Sequence, residues 1–121
     1  MGKVEPLFDR AGETVAWRYR DVLYALDGRA AGFVRNTAFF ALNGRYLGAC
    51  EDGLYRDPGG AVIAFEREAT GGPLLPLPLP APIAPVPELR PMEPSFEPAP
   101  RNLMRRVSWS RQAWNELMQA T

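Results

Sequence analysis

A pattern that recurs about every 16 residues runs through the first 72 positions and constrains the fold more than any other feature. Four segments align, with starts 16, 16 and 15 residues apart, at Leu7, Leu23, Phe39 and Leu54. Each segment opens with an apolar residue and then an aromatic one, and each has a glycine five residues after its start. An internal repeat of this kind predicts one small structural unit that is copied and packed against its neighbours.

The turn signals within the repeats indicate β-hairpins. Asp27-Gly28 and Asn43-Gly44 are typical of two-residue type I′ turns, which need a positive φ at both positions. The segments 9–12 and 57–60 suit slightly longer turns. A period of 16 then accommodates two strands of about five residues and two turns. We predict an all-β domain of four pseudo-equivalent hairpins over residues 1–72, with turn glycines Gly12, Gly28, Gly44 and Gly59.

The second position of each repeat supplies one aromatic ring. An isolated hairpin is marginally stable in water, so equivalent positions of the four units are expected to meet around a common axis or to stack in series. We therefore expect the rings to form a shared core, and a platform that stacks a ligand is the alternative. The four rings are Phe8, Tyr24, Phe40 and Tyr55.

Eleven of the 13 prolines lie within residues 73–100. Because a residue that precedes proline is pushed towards extended conformations, this segment is predicted to be an extended arm, neither helix nor central strand. A solvated spacer and a ligand for an SH3- or WW-type module are two interpretations. Its first half is unusually apolar for a free linker, so we expect it to lie against its own domain or a neighbouring subunit. The leucines expected to make that contact are Leu75, Leu77 and Leu79.

Residues 101–121 carry four arginines against one acid. Ser110 is predicted to cap a helix from Arg111 to about Ala120, whose apolar residues form a single stripe. A helix near ten residues does not persist alone in water, so the stripe should dock on its own domain or in a groove of a partner. Alternatively, the arginines and tryptophans of the tail contact RNA or another polyanion. The partner-binding residues predicted in the tail are Arg105, Arg106, Trp109, Trp114, Leu117 and Met118.

The chain has no histidine and one cysteine. This composition excludes His-based acid–base catalysis, Ser–His and Cys–His nucleophile pairs and an internal disulfide. No phosphate-binding loop or metal-ligand spacing occurs. Four acids of the last hairpin could form a carboxylate pair or a weak Ca²⁺ site, but solvated turn acids are the simpler interpretation. We expect no enzyme, no cofactor and no small-molecule substrate; the acids in question are Glu51, Asp52, Asp57 and Glu66.

Lys and Arg together number 14, as do Asp and Glu, so the formal charge is zero. No global field would attract nucleic acid, which makes it an unlikely partner. The longest uncharged stretch is rich in proline and short of the ~20 residues that a membrane-spanning helix needs. With no targeting signal and a single unpaired cysteine, we expect a cytoplasmic protein without a membrane span.

The ordered motifs of the chain resemble those of the bacterial four-fold β-flower domain proteins. The matching features are the repeated aromatic-x-x-(Asp/Asn)-Gly hairpins, the passages 47–53, 57–65 and 69–73, the proline-rich arm and the Val-Ser-Trp-Ser sequence at 107–110. The resemblance covers essentially the whole chain, and it implies a fold and a symmetry but no reaction. The arm here is rich in Leu and Pro, where that of the family alternates Lys, Pro and Val. Other β families with short aromatic–glycine repeats, or a small PRC-type barrel, are the alternatives.

These observations predict a non-catalytic structural or interaction protein. It would self-associate, or act as a small subunit of a larger assembly, through its proline-rich arm and C-terminal helix. The alternative is a small binding module whose Arg/Trp tail engages RNA or an acidic partner.

Overall fold

The computed structural model describes residues 3–119, which form eight strands and one helix. Each strand pairs antiparallel with the next, and the last pairs back onto the first, so the sheet closes into a barrel without unpaired edges. The prediction of an all-β fold built from four hairpins is confirmed. The strands are β1 (Glu5–Phe8), β2 (Thr14–Tyr19), β3 (Val22–Tyr24), β4 (Ala30–Arg35), β5 (Ala38–Ala41), β6 (Tyr46–Glu51), β7 (Leu54–Arg56) and β8 (Val62–Glu66).

The repeat is 16 residues long in every unit, so the predicted start of the fourth unit at Leu54 was one residue early. A register shift marks the same place in each hairpin, and in the fourth it falls between Tyr55 and Arg56. The fourth turn glycine is accordingly Gly60, with a φ of 94°, and not Gly59. The register shifts of the other three hairpins lie at Leu7/Phe8, Leu23/Tyr24 and Phe39/Phe40.

The four turns that contain these glycines share one geometry. At Asp27-Gly28 and Asn43-Gly44 it is not the predicted two-residue type I′ turn, whereas the first and fourth turns are longer, as predicted. In the second hairpin Gly28 N donates to Ala25 O at 3.0 Å, and Ala25 N donates to Arg29 O at 2.8 Å. Gly28 has a φ of 93°, whereas Asp27 keeps a negative φ and its carboxylate accepts a hydrogen bond from Arg29 N. This arrangement is typical of a three-residue loop with a glycine bulge. Asn43 and Gly44 form the third turn in the same way.

The second-position rings do not form a shared core, so that prediction is wrong. Only Tyr55 belongs to the interior cluster. Phe8 and Tyr24 lie in two separate clusters, and Phe40 packs on Phe96 with ring centroids 4.8 Å apart. Successive strand residues point to opposite faces, so the residue before each of the first three rings enters the barrel instead. The interior column is Leu7, Leu23, Phe39 and Tyr55.

A short helix closes one mouth of the barrel. It is α1 (Trp114–Gln119), and both Trp114 and Leu117 are buried in the interior cluster. Trp114 stacks on Phe39 with centroids 5.7 Å apart and an interplanar angle of 14°, and it meets the Tyr55 ring edge-on at 5.8 Å. The tail therefore supplies part of the core that the barrel strands leave open.

The helix begins three residues later than predicted. Glu116 Oε1 accepts a hydrogen bond from Ala113 N at 2.8 Å, which caps the first turn. Ser110 is not the cap, because its hydroxyl donates to Asp57 Oδ2 at 2.5 Å and accepts from Gln112 N. The predicted helix end at Ala120 lies outside the described residues.

Candidate functional site: a proline-rich belt around the barrel

Residues 73–106, here called the belt, follow a nine-residue repeat that matches the 16-residue repeat of the barrel. Four belt N–H groups spaced nine residues apart donate to the carbonyl oxygens of the four turn glycines, so one belt unit docks on each hairpin. The pairs are Leu79 with Gly12 (2.8 Å), Glu88 with Gly28 (3.0 Å), Glu97 with Gly44 (2.9 Å) and Arg106 with Gly60 (3.0 Å). The sequence carries a sign of this period, because Pro73, Pro82, Pro91 and Pro100 are also nine residues apart.

The turn glycines are needed for this docking as well as for the turns. A belt carbonyl lies so close to each glycine that a Cβ there would be 2.7 Å from Leu77 O at Gly12 and 2.0 Å from Ser95 O at Gly44. Real Cβ atoms do not approach an oxygen so closely, so a side chain at Gly44 would displace the belt. The predicted turn glycines Gly12, Gly28 and Gly44 therefore lie in the belt interface.

Side-chain acceptors strengthen two of the four docking sites. Glu88 Oε1 accepts from Ala30 N at 2.8 Å, and Glu97 Oε1 accepts from Tyr46 N at 2.7 Å. The equivalent strand position of the first hairpin is Thr14, whose hydroxyl is buried without a partner in the described part of the chain. The equivalent belt position is Leu79, which cannot accept a hydrogen bond. The first docking site is therefore the incomplete one.

Replacing Leu79 by glutamate should stabilise the protein by about 1 kcal/mol, because the carboxylate would give the Thr14 amide or hydroxyl the acceptor that Glu88 and Glu97 provide elsewhere. Chemical denaturation at neutral pH measures the change. Val107→Glu is the control, since Val107 is 76 % exposed and a charge there meets solvent. Equal stability of the two variants would contradict the equivalence of the docking sites.

Ion pairs also join the belt to the barrel. Arg90 pairs with Asp21 (Nη2 to Oδ2 2.9 Å), and Arg105 pairs with Glu51 (Nη2 to Oε2 3.3 Å). Hydrogen bonding to the two guanidinium groups holds the pKa of the Asp21 and Glu51 carboxyls below their ordinary values. A carboxyl with a lowered folded-state pKa stabilises the fold at neutral pH, and this contribution is lost as the pH falls through the folded pKa. Both pairs are exposed, so each contributes little by itself.

A buried arginine anchors the fourth belt unit. Arg56 occupies the position that Phe8, Tyr24 and Phe40 occupy in the other repeats. Its Nη1 donates to Gly60 O and to Arg106 O, each at 2.7 Å, while Arg106 Nε donates to Gly59 O at 3.0 Å. Arg105 and Arg106, predicted to bind a partner, thus contact the barrel of their own chain.

The apolar residues predicted to bind a partner also contact the barrel for the most part. Trp109 packs against Phe65 with centroids 6.1 Å apart, and Leu75 packs against the same outer cluster. Met118 packs against the interior cluster beside Trp114 and Leu117. Two of the predicted residues remain open to solvent: Leu77, and Leu79 at 49 % exposed. Of the alternatives that the sequence left open for the tail, the structure shows docking on its own domain.

The outward side of the belt carries a row of apolar side chains. Five of them directly follow a proline, and these five fall into two series with the nine-residue spacing, Leu74, Ile83 and Met92, and Leu77 and Val86. Six are between 89 % and 97 % exposed: Leu74, Leu77, Ile83, Val86, Leu89 and Met92. We call this set the apolar face of the belt.

A polar cluster extends from the buried Tyr55 and Cys50 side chains to Arg18 and Glu66, whose side chains are 30 % and 26 % exposed. Arg18 Nη1 is 3.0 Å from Glu66 Oε2 and 3.2 Å from the Tyr55 hydroxyl, which donates to the same Glu66 oxygen at 2.6 Å. Burial raises the pKa of the neighbouring Cys50 thiol to about 11 and that of Tyr55 well above its ordinary value. The thiol is therefore protonated at neutral pH and is a poor nucleophile.

Three acids of the last hairpin each bind a different partner and do not form a carboxylate pair. Glu51 pairs with Arg105, Asp57 accepts from Ala61 N and the Ser110 hydroxyl, and Glu66 binds Arg18 and Tyr55. Within residues 3–119 no three His, Cys, Asp or Glu side chains are placed to hold a metal ion. In the same range no helix has the length and apolar character needed to cross a membrane.

The fold and the belt define a closed barrel of four hairpin repeats with pseudo-four-fold symmetry. The model of the family described as 4-fold beta flower protein matches residues 5–118, which include the barrel, the belt and the helix. The chain belongs to this family, as the resemblance implied. Comparisons with curated proteins and with solved structures returned no significant match.

Proposed function

We propose that this chain is a non-catalytic structural protein that associates with a second copy of itself through the apolar face of the belt. The observation that carries the proposal is the near-complete exposure of six large apolar side chains along residues 74–92. Monomeric proteins rarely expose such a row without a partner to cover it.

The size of this face supports an interface between two copies. At about 100 Å² of apolar surface for each side chain, the six residues expose roughly 600 Å². The largest apolar patch on a typical monomer measures about 300–600 Å², so this face is at the upper end of that range. With the flanking prolines it approaches the ~800 Å² per partner of a stable protein–protein interface.

The distribution of charge favours a single contact between two copies over a four-fold ring. Residues 69–87 contain no charged side chain, whereas the later part of the belt carries Glu88, Arg90, Glu93, Glu97 and Arg101. The uncharged residues up to Pro87, which carry four of the six side chains of the apolar face, are therefore the part of the belt best suited to apolar self-association. A two-fold dimer would bury the same patch of both copies, which is the commonest arrangement in homo-oligomers.

The structure gives less support to the alternative of an RNA-binding or acid-binding tail. Trp114 is buried inside the barrel, Trp109 packs on Phe65, and Arg105 is paired with Glu51. The tail therefore lacks the exposed aromatic platform that single-stranded nucleic acid needs.

We also propose that the protein is cytoplasmic, because a single unpaired cysteine is typical of proteins in reducing compartments.

The native mass in solution tests the proposal. Light scattering at about 100 μM should give twice the chain mass of 13.4 kDa for the unmodified protein. The double variant Ile83→Glu/Val86→Glu should give a monomer, because a dimer would bury its charges without partners. Leu26→Glu, which places a charge on a half-exposed residue outside the apolar face, is the control and should remain dimeric.

A monomeric unmodified protein, or a dimer that survives the double variant, would overturn the proposal. Salt distinguishes the alternative, because affinity for a polyanion falls steeply with ionic strength, whereas apolar association does not. A monomer that binds RNA in such a salt-dependent way would favour the tail as the binding element.

A further inference from the structure

We propose that the two copies meet at Pro80, with the two-fold axis of the dimer beside this residue and the two belts running in opposite directions. Leu77 of each copy would then contact Ile83 of the partner subunit. This contact rests on the self-association proposed above, and it specifies which residues of the two copies pack together.

The apolar face of the belt has a period of three residues. Its six side chains are separated by three residues or by a multiple of three, and Pro80 occupies the one remaining position between Leu74 and Met92. Proline fixes φ at the value found in the polyproline II helix, which has three residues per turn. Side chains at this spacing project from one edge of such a helix, and their exposure shows that this edge faces away from the barrel.

The uncharged part of this edge is symmetric about Pro80. Within residues 73–87 the edge carries five residues, of which Pro80 is the middle one. Leucines stand three and six residues before it, at Leu77 and Leu74, and β-branched residues stand three and six residues after it, at Ile83 and Val86. A two-fold dimer needs a patch that is complementary to itself, in which residue i contacts residue j and j contacts i. Two belts crossing at Pro80 in opposite directions meet this requirement, with leucine against a β-branched residue at both distances.

Pro80 also suits the centre of such a contact because of its size. The belt docks on the first hairpin at Leu79 and on the second at Glu88, so it curves around the barrel and its outward side is convex. Two convex surfaces approach most closely at one point and separate on either side of it. The short ring of Pro80 allows close approach at that point, and the longer side chains of Leu77 and Ile83 fill the widening space beside it.

The charges at the end of the uncharged part favour opposite directions. Glu88 and Arg90 follow it on one side, whereas residues 69–72 on the other side carry no charge. If the two belts ran in the same direction, Glu88 would lie towards Glu88 of the partner subunit, and Arg90 towards the same arginine. In opposite directions each charged residue passes beside the uncharged residues 69–72 instead. Because like charges across an interface disfavour association, the second arrangement is preferred.

Disulfide crosslinking locates the axis, because a residue on a two-fold axis meets its own copy. We expect Pro80→Cys to form a covalent dimer when diamide is added, since diamide accepts the two protons and two electrons released as two thiols form one disulfide. Leu89→Cys is the matched control, because Leu89 has the same place in the second belt unit and is 92 % exposed. It should give about tenfold less covalent dimer, since a disulfide forms only between nearby Cβ atoms. Cys50 is buried and stays in all variants.

A mixture of two variants tests the direction of the belts. Leu77→Cys mixed with Ile83→Cys should form covalent dimers, up to about half of all dimers for random pairing of equal amounts. Neither variant alone should do so, because each new thiol lies opposite the unchanged side chain of the partner subunit. Belts that run in the same direction would give the reverse result, with each variant crosslinking to itself.

Two results would overturn the contact at Pro80 and leave self-association intact. One is a protein that is dimeric by light scattering but in which Pro80→Cys crosslinks no better than Leu89→Cys. The other is a dimer in which Leu77→Cys crosslinks with itself and not with Ile83→Cys. A chain that is monomeric by light scattering would overturn both proposals, and Pro80→Cys would then give no more covalent dimer than the unmodified protein.

Discussion

Replacing Trp114 by alanine is expected to lower the free energy of unfolding by about 3–5 kcal/mol, the range typical of large aromatic residues in a core. Trp114 stacks on Phe39, meets Tyr55 edge-on and fills the mouth of the barrel. A six-residue helix cannot persist alone in water, so loss of this anchor should also release α1 from the barrel.

Denaturant unfolding measures the stability change, and amide hydrogen exchange of the helix reports its release. Asn115→Ala is the matched control, because Asn115 is the next residue of the same helix and is exposed. That control should change stability by less than about 0.5 kcal/mol. A cost below about 1 kcal/mol for Trp114→Ala would mean that the helix is not part of the folded core.

The repeat and its turn residues were sufficient to predict the hairpins, but not the register of the last one. Leu54-Tyr55 has the same apolar–aromatic order as the other repeat starts, and both Gly59 and Gly60 are available for the turn. The true register places the charged residue Arg56 at a position that is aromatic in the other three repeats. Its burial is explained by two carbonyl acceptors, Gly60 O and Arg106 O, which no local pattern reveals.

The belt was harder to predict than the barrel for a physical reason. Its docking depends on backbone N–H groups and glycine carbonyls, which leave no side-chain signature. Proline at almost every second position also obscures the four prolines that mark the nine-residue period. The sequence therefore predicted an extended arm and an apolar contact, but not the one-to-one match between belt units and hairpins.

The charged residues explain how four similar sites keep the belt in a single register. Arg35 pairs with Glu93 at 3.5 Å, and at the next equivalent strand position Glu51 pairs with Arg105. A belt shifted forward by one unit would place Glu93 beside Glu51, and a backward shift would place Arg105 beside Arg35. Repulsion between like charges disfavours both shifts. These exposed pairs contribute little to stability, so we infer that their role is to select one register among four similar sites.

Replacing Gly44 by alanine is expected to cost about 2–4 kcal/mol, through backbone strain at a φ of 92° and through the loss of belt hydrogen bonds. The new Cβ would lie 2.0 Å from Ser95 O, so the belt must move away and Glu97 N would lose its bond to Gly44 O.

Gly71→Ala separates these two contributions, because Gly71 has a similar φ of 82° but nothing within 4 Å of the added Cβ. Gly71→Ala should therefore lower the free energy of unfolding by the backbone strain alone, about 1–2 kcal/mol, and the belt should stay docked. Denaturant unfolding gives the two costs, and amide exchange at Glu97 reports the belt directly. If both variants cost the same and Glu97 stays protected, the belt does not depend on close approach to the turn glycines. A larger cost at Gly44 with rapid exchange at Glu97 would show that the glycine is required because the belt passes over it.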